Sequence, residues 1–582
     1  MMDQCAAWSK EDQVYPKPAE KIKRTRRSNR ASAKKENNEM KKISAIMCIL
    51  LLGVVAWAEV PPPVVSAPNP NIIVFLADDM GLGDTSAYQD WCGNPDQAQL
   101  HTPAMDKLAE NGVRFTDAHS PSSRCSPTRY ALLTGRYCWR THLKHWVLFG
   151  VHCDPLIERD RVTLPGFLQE EGYMTGILGK WHLGLTYSAA NGKPSKGWDD
   201  ADLTKPILDG PLDHGFDYFH GFSRSHVTAG PDGNKPPMAG NKKNAIVKHN
   251  SPEQGVGPGW IHGREVNGAT GHGKMLDGSY VLDRVGNVLD EKGREFLDSA
   301  NTAKKPFFLY LASHSNHAPY TPTDRIGKYQ VKGASKNVDG SLTSSERLDF
   351  VYENDVLIAR LMDYLESTDD PRRPGKKLVE NTLFIFTSDN GAEQNLKQYT
   401  GPLRSNKGSV YEGGHRIPFL ASWPLGGIRG GRDCSRLLSL TDLFATVAEI
   451  SGKPLPPLKG AFFGAEDSVS QLAAMRGESC PPRIPVFPND HMEAIKKKSD
   501  KRAWVAVRSN AAPMPGEWKL FLDETFAWEG ALNPKELYNL SNDRMEEKNV
   551  LDHPEFKAVV DFLLKQAELA KGDKGSTRQL EE

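Results

Sequence analysis

NIIVFLADD, residues 71–79, is a short β-branched apolar run that ends abruptly in Asp78 and Asp79. Such a run reads as a buried strand with charge at its C-terminal end. The same shape recurs in NTLFIFTSDNG (381–391), where a strand from Leu383 to Phe386 runs into Ser388, Asp389, Asn390 and Gly391, and in KPFFLYLASHSNHAP (305–319), where Phe307 to Leu311 leads into polar residues. Helical patterns lie between them. Val351, Ile358, Leu361 and Leu365 fall on one face of a segment stopped before Pro371. Alternating strand and helix predicts an α/β sheet covered on both faces. Ligands bind such sheets outside the carboxyl ends of the strands, where all three polar clusters fall.

The chain has 582 residues, enough for one large domain and a smaller one. Lys+Arg and Asp+Glu both number 73, so no global field draws it to nucleic acid or an acidic lipid surface. Recognition of an anion must therefore be local.

Residues 1–39 are polar and carry the basic run KIKRTRRSNRASAKK, which alone would point to nuclear or nucleic-acid targeting. MKKISAIMCILLLGVVAWAEV, from Met40, argues otherwise: a Lys-Lys head, a short apolar stretch and Ala56-Trp57-Ala58 before Glu59 form a signal peptide over 40–58 with cleavage after Ala58. Met40 is the expected true start and 1–39 a leader upstream of it. Export to the periplasm or the medium is expected, with no stable membrane insertion, because the apolar stretch is short for a span. Of eight cysteines, cleavage removes Cys5 and Cys48 and leaves Cys92, Cys125, Cys138, Cys153, Cys434 and Cys480, whose pairing the sequence leaves open.

Residues 185–300 are poor in apolar periodicity and rich in Gly, Pro, Asn and His, as expected of a loop-rich insertion bordering the site within a catalytic domain of residues 69–425. After about residue 425 a helix (LTDLFATVAEISG), strands (AWVAVRS, WKLFL) and a closing helix near 556–570 predict a smaller α+β subdomain over 426–582.

Asp78, Asp79, Asp389 and Asn390 are hard oxygen donors at two strand ends, suited to Ca²⁺, or less well Mg²⁺, rather than zinc. Each could equally be a helix cap or a turn. GKWHLG places Lys180 and His182 two apart, on one side of an extended segment. His314, His317 and Lys407 add further groups for a small oxyanion, with imidazole available for proton transfer. Cys125 precedes Pro127 and Arg129, closer than the Cys and Arg of a tyrosine-phosphatase loop; a buried or disulfide-bonded cysteine is the plain alternative.

CSPTRYALLTGR (125–136) resembles the signature of type I, arylsulfatase-like sulfatases: Cys-x-Pro-x-Arg, an apolar pair, then Thr-Gly-Arg. The resemblance extends in family order through PNIIVFLADDMGLGD, HTPAMDKLAENGVRFTDAHS, GYMTGILGKWHLG, KPFFLYLASHSNHAP, FTSDNG and LRSNKGSVYEGGHRIP, and reappears at KELYNLSNDRMEEKNV. It implies an alkaline-phosphatase-like α/β fold, a large mixed sheet flanked by helices with a small C-terminal α+β subdomain, and hydrolysis of an aryl or carbohydrate sulfate ester. It also implies that a formylglycine-generating enzyme converts Cys125 to Cα-formylglycine, whose gem-diol attacks sulfur. Asp78, Asp79, Asp389 and Asn390 would hold Ca²⁺ together with residue 125. Arg129 and Lys180 would steady the nucleophile, His182 would assist hemiacetal breakdown, and His317 and Lys407 would bind sulfate and serve the leaving oxygen. His314 has a weaker claim.

Two departures stand out. GAEDSVS (464–470) lacks the glycine of the family's Asp-Gly-x-Ser, which puts the loop around Asp467 in question, and the 185–300 stretch matches no motif. A phosphonate or phosphodiester hydrolase on the same scaffold, or a non-catalytic glycan-binding relative, are the readings that turnover would separate.

Overall fold

A computed structural model describes residues 69–93, 100–148, 155–196, 200–229, 258–266, 279–460, 462–490, 503–524, 530–572 and 575–578. The leader, the expected signal peptide and Cys153 lie outside them. The described residues belong to one unit, Ala67–Glu582.

A ten-stranded mixed sheet forms the centre. Asn71–Ala77 lies between Thr382–Ser388 and Phe307–Ala312, parallel to both, and Met174–Lys180 and Tyr218–Phe222 continue the parallel set beyond Phe307–Ala312. Phe419–Ser422 then runs antiparallel to Thr382–Ser388. Within Asn71–Ala77, Ile72, Val74 and Leu76 join the core on one face while Ile73, Phe75 and Ala77 join the core on the other. Both faces are covered, so the strand reads as continuously apolar.

Helices Cys125–Thr134 and Leu443–Ser451 supply Tyr130, Leu132, Leu133, Phe444 and Val447 to the first core. Val285–Thr302 and Glu346–Ser367 supply Leu289, Phe296, Val351, Ile358 and Leu361 to the second. The alkaline-phosphatase-like α/β architecture is the one present. A four-stranded antiparallel sheet of Asn489–Asp490, Ala503–Ser509, Trp518–Glu524 and Asn533–Asn539 follows, with helix Lys557–Ala570 against it.

The 185–300 stretch needs correction where it is described. Tyr218–Phe222 is a strand of the main sheet and Val285–Thr302 an 18-residue helix of its cover. YFHGF hides as a strand because a histidine and a glycine interrupt its apolar run, although all but Tyr218 are buried. No disulfide joins the described cysteines.

Candidate active site

Parallel pairing brings five strand ends level: Ala77 pairs with Ser388, Leu76 and Gly179 with Ala312, and Lys180 with Phe222. Each next residue therefore emerges at one edge. Asp78 and Asp79 follow the first strand, Asp389 and Asn390 another, and Lys180 is the last residue of its own. Asp79 adopts a left-handed φ of 64°, and its N–H donates to Asp389 Oδ1 at 3.2 Å. The chain has turned out of the strand to aim two successive carboxylates into the same space.

Cys125 is the first residue of helix Cys125–Thr134. There the unpaired N–H groups and helix dipole favour negative charge, and Pro127 in the first turn costs little because its missing N–H has no helical partner. Gly135 ends the helix at φ 64°, and a Cβ there would come within 2.8 Å of Ala465. Cys125 is 2% exposed, and burial raises its thiol above the ordinary range despite Lys180 and Lys407.

Asp78, Asp79 and Cys125 present ligand atoms within 4.8 Å of one another. Asp78 Oδ1 and Asn390 Oδ1 are buried without hydrogen-bond partners. Three carboxylates and an amide oxygen, two of them carrying unsatisfied atoms, fit a hard divalent cation.

Cations surround this set. Lys180 Nζ lies 2.7 Å from Asp78 Oδ2, Arg129 Nη2 2.7 Å from Asp389 Oδ2, and Lys407 Nζ 2.6 Å from Asp79 Oδ1. Burial opposes ionisation of Asp79, yet Lys407, His317 and Lys180 hold it well below the usual carboxylate range. Burial and the neighbouring Asp78 push Asp389 up to about 6. For Lys407, burial disfavours the charge, but Asp79 carries it above its ordinary value.

His182 sits at a left-handed φ of 59°, so it is not simply one strand period beyond Lys180. Its Nε2 lies 2.8 Å from Leu148 O, which assigns the proton there and leaves buried Nδ1 without a partner. Burial, then Lys180 and Arg224, hold this imidazole neutral. His317 Nδ1 contacts Ala318 O at 2.7 Å, and burial with Lys407 pushes it down to about 3.

The structure brings together Asp78, Asp79, Cys125, Arg129, Lys180, Asp389, Asn390 and Lys407, with His182 and His317 beside them. His314 turns away: it is fully buried against Phe350, with Nε2 3.4 Å from Glu353 Oε1. Sequence reasoning missed Arg224, Ser225 and His226, buried at the end of Tyr218–Phe222, and Glu393, which accepts a hydrogen bond from Ala318 N–H at 3.3 Å. FSRSH repeats the strand-then-polar shape of the other motifs and was the available signal. Asp467 lies elsewhere: its carboxylate takes Arg140 Nη2 at 2.7 Å and Nε at 2.8 Å, together with Tyr137 N–H and Thr577 N–H.

The sulfatase family model matches residues 70–453, and the chain belongs to the sulfatase family, enzymes that hydrolyse sulfate esters. Among its relatives, an N-acetylgalactosamine-6-O-sulfatase of Bacteroides thetaiotaomicron is 29% identical over 86% of this chain and 93% of its own length. Human arylsulfatase A is 33% identical over 70% of this chain and 68% of its own. A solved Bacteroides thetaiotaomicron structure from glycosaminoglycan metabolism superposes with a TM-score of 0.62 at 25% identity, covering 86% of this chain and 98% of the other. A Pseudoalteromonas sulfatase shares the fold at a TM-score of 0.61 and 24% identity, covering 86% and 91%. Among the described residues no helix is long and apolar enough to cross a membrane.

Proposed function

We propose that this chain hydrolyses carbohydrate sulfate monoesters through a formylglycine made from Cys125 and a Ca²⁺ held by Asp78, Asp79, Asp389, Asn390 and residue 125. The observation that carries the reading is the placement of Cys125, first in its helix, within 4.8 Å of the Asp78 and Asp79 ligand atoms. The buried Sγ occupies the position of the oxygen that maturation would install. When present, the hydrated formylglycine supplies an oxygen nucleophile and Ca²⁺ supplies charge to it and to the sulfate.

The chain's own residues do the rest. Arg129, fixed on Asp389 and on Lys180 O at 3.2 Å, holds positive charge behind residue 125. Lys180 and Lys407 neutralise the non-bridging sulfate oxygens, which lowers the cost of placing further charge on sulfur. His182, neutral and with Nδ1 open, accepts a proton from residue 125. At His317 the arriving sulfate offsets Lys407 and favours the protonated imidazole, whose proton goes to the leaving alcohol oxygen as its bond to sulfur breaks. Ester and water become alcohol and hydrogen sulfate.

The near full-length similarity to an N-acetylgalactosamine-6-O-sulfatase supports a sulfated amino sugar as substrate class. Maturation by a formylglycine-generating enzyme, export through a signal peptide over 40–58, a catalytic domain over 69–425 and a subdomain over 426–582 belong to the same proposal. Turnover of an aryl sulfate against an aryl phosphonate tests it. Sulfate hydrolysis that Cys125→Ala abolishes is expected; phosphonate hydrolysis alone would refute it.

A further inference from the structure

Away from the sulfate site, the second histidine-rich cluster is buried where the C-terminal sheet meets the central one. His119, Glu412 and His415 present atoms within 4.8 Å of one another, a spacing suited to a metal. The cation there is the chain's own. Lys519, on strand Trp518–Glu524 and fully buried, donates to Glu412 Oε1 at 2.8 Å and to His415 Nε2 at 3.0 Å, and pairs with Glu546 Oε1 at 2.9 Å. An ammonium has three donors and no acceptor, so His415 Nε2 must accept. His415 then carries its proton on Nδ1 and donates to His119 Nδ1 at 2.9 Å, and His119 Nε2–H donates to Asp117 Oδ1 at 2.9 Å. The opposite tautomer would put Nε2–H on Val410 O, also 3.0 Å away, but would set two donors face to face at Lys519, and the full charge on the ammonium decides for the first arrangement.

Both chain segments held this way lead into the sulfate site. Residues 404–416 form a closed turn: Gly413 N–H donates to Arg404 O at 2.8 Å and Gly414 N–H to Tyr411 O at 2.9 Å. A Cβ on Gly414 would fall 2.1 Å from Ser409 O, so only glycine lets the turn close. Lys407 is presented from this turn, while Glu412 is held at its N–H by Glu546 Oε2 at 2.7 Å and at its carboxylate by Lys519. The other segment, from His119 to Arg124, runs directly into Cys125; Ser120 N–H donates to His415 O at 2.8 Å, and Gly408 N–H, next to Lys407, donates to Ser123 O at 3.0 Å.

We propose that Lys519 is a positioning residue for the sulfatase reaction: through Glu412 and His415 it fixes the turn that carries Lys407, and through His119 the segment that carries residue 125. A lysine on the small sheet thereby sets the distance between nucleophile and sulfate grip without touching either. Such groups act by holding reacting atoms in register.

This rests on Lys407 binding the sulfate, and the experiment keeps the two apart. Steady-state kcat and KM on an aryl sulfate, with thermal midpoints, are measured for Lys407→Met, for Lys519→Met/Glu412→Gln, which removes one cation and one anion together, and for the triple variant. The paired variant is expected to fold, since burial already pushes Glu546 up to about 7 and lets it take a proton when the ammonium is gone. It should lose about tenfold in kcat/KM, mainly through kcat, and the triple variant should fall below Lys407→Met by less than that tenfold, because the share carried through Lys407 is already gone and only the route to residue 125 is left to lose. An unimpaired Lys407→Met would overturn the reading of Lys407. A fully active paired variant, or losses that multiply in full in the triple variant, would overturn the role of Lys519 and leave Lys407 standing. Should the paired variant not fold, nitrogen NMR of histidine-labelled wild-type protein decides: His415 neutral with its proton on Nδ1 from about pH 6 to 8 supports the proposal, and a proton on Nε2 overturns it.

Discussion

Lys407 Nζ lies 2.6 Å from Asp79 Oδ1 and 2.7 Å from Asp79 Oδ2, a partly buried contact across 328 residues of sequence that ties the end of strand Asn71–Ala77 to the turn of residues 404–416. Charge held this way is already in place when an anion arrives, so no reorganisation is needed at the moment of reaction. Lys407→Met is expected to lower kcat/KM on an aryl sulfate by about two to three orders of magnitude, the cost of removing one preorganised donor. A loss under about threefold in steady-state assays would show that Lys407 does not meet the sulfate.

Removing divalent cation should lower stability as well as activity. Asp78 Oδ1 and Asn390 Oδ1 are buried and unsatisfied in the protein alone, and a cation that binds only the folded chain adds about 2.7 kcal/mol when its free concentration is about a hundred times its Kd. Thermal melts in chelator and in excess calcium measure this directly. Coincident melts would argue against a calcium site, and Asp389→Asn should shrink the difference.

Asp355 gives a pH dependence separate from the catalytic groups. It accepts N–H bonds from Ala104 and Met105 at the start of helix Pro103–Asn111, and burial pushes its carboxyl from 3.8 up to about 7. A carboxyl raised on folding favours the protonated folded state: the contribution is complete below pH 3.8 and is lost as pH rises towards 7. Relative to wild type, Asp355→Asn should therefore gain stability across that window, by at most about 1.4 kcal/mol per pH unit. Denaturant melts at several pH values check the sign; a flat difference would contradict it.

Much of this was legible from strands that end in charge. NIIVFLADD and FTSDNG read as strands ending in Asp78, Asp79, Asp389 and Asn390, and the parallel pairing of those two strands brings the four residues to one edge. His314 and His317 were harder to tell apart, because the alternation of Phe307–Ala312 stops at its last residue and His314 turns inwards to Glu353. Arg224, Ser225 and His226 escaped notice since their strand holds His220 and Gly221 and lies in a stretch without periodicity. The Lys519 cluster lies in stretches with motif or strand character, but nothing local shows that they meet. Its members come from segments far apart in the sequence, and only the docking of two sheets assembles them.

Asp467 is expected to be structural. It and Arg140 are fully buried and joined by two hydrogen bonds, so Asp467→Ala leaves an uncompensated guanidinium and should cost about 3–5 kcal/mol of stability. Turnover per folded molecule, measured well below the melting range, should stay near wild type. A kcat collapse without destabilisation would place Asp467 in the chemistry.

Mass spectrometry of the peptide carrying residue 125, from protein made alongside a formylglycine-generating enzyme, tests the central claim most directly. The account predicts a residue that has exchanged the elements of hydrogen sulfide for a single oxygen atom relative to cysteine, with aryl sulfate turnover proportional to the converted fraction. An intact Cys125 thiol in protein that hydrolyses the sulfate at full rate would contradict it.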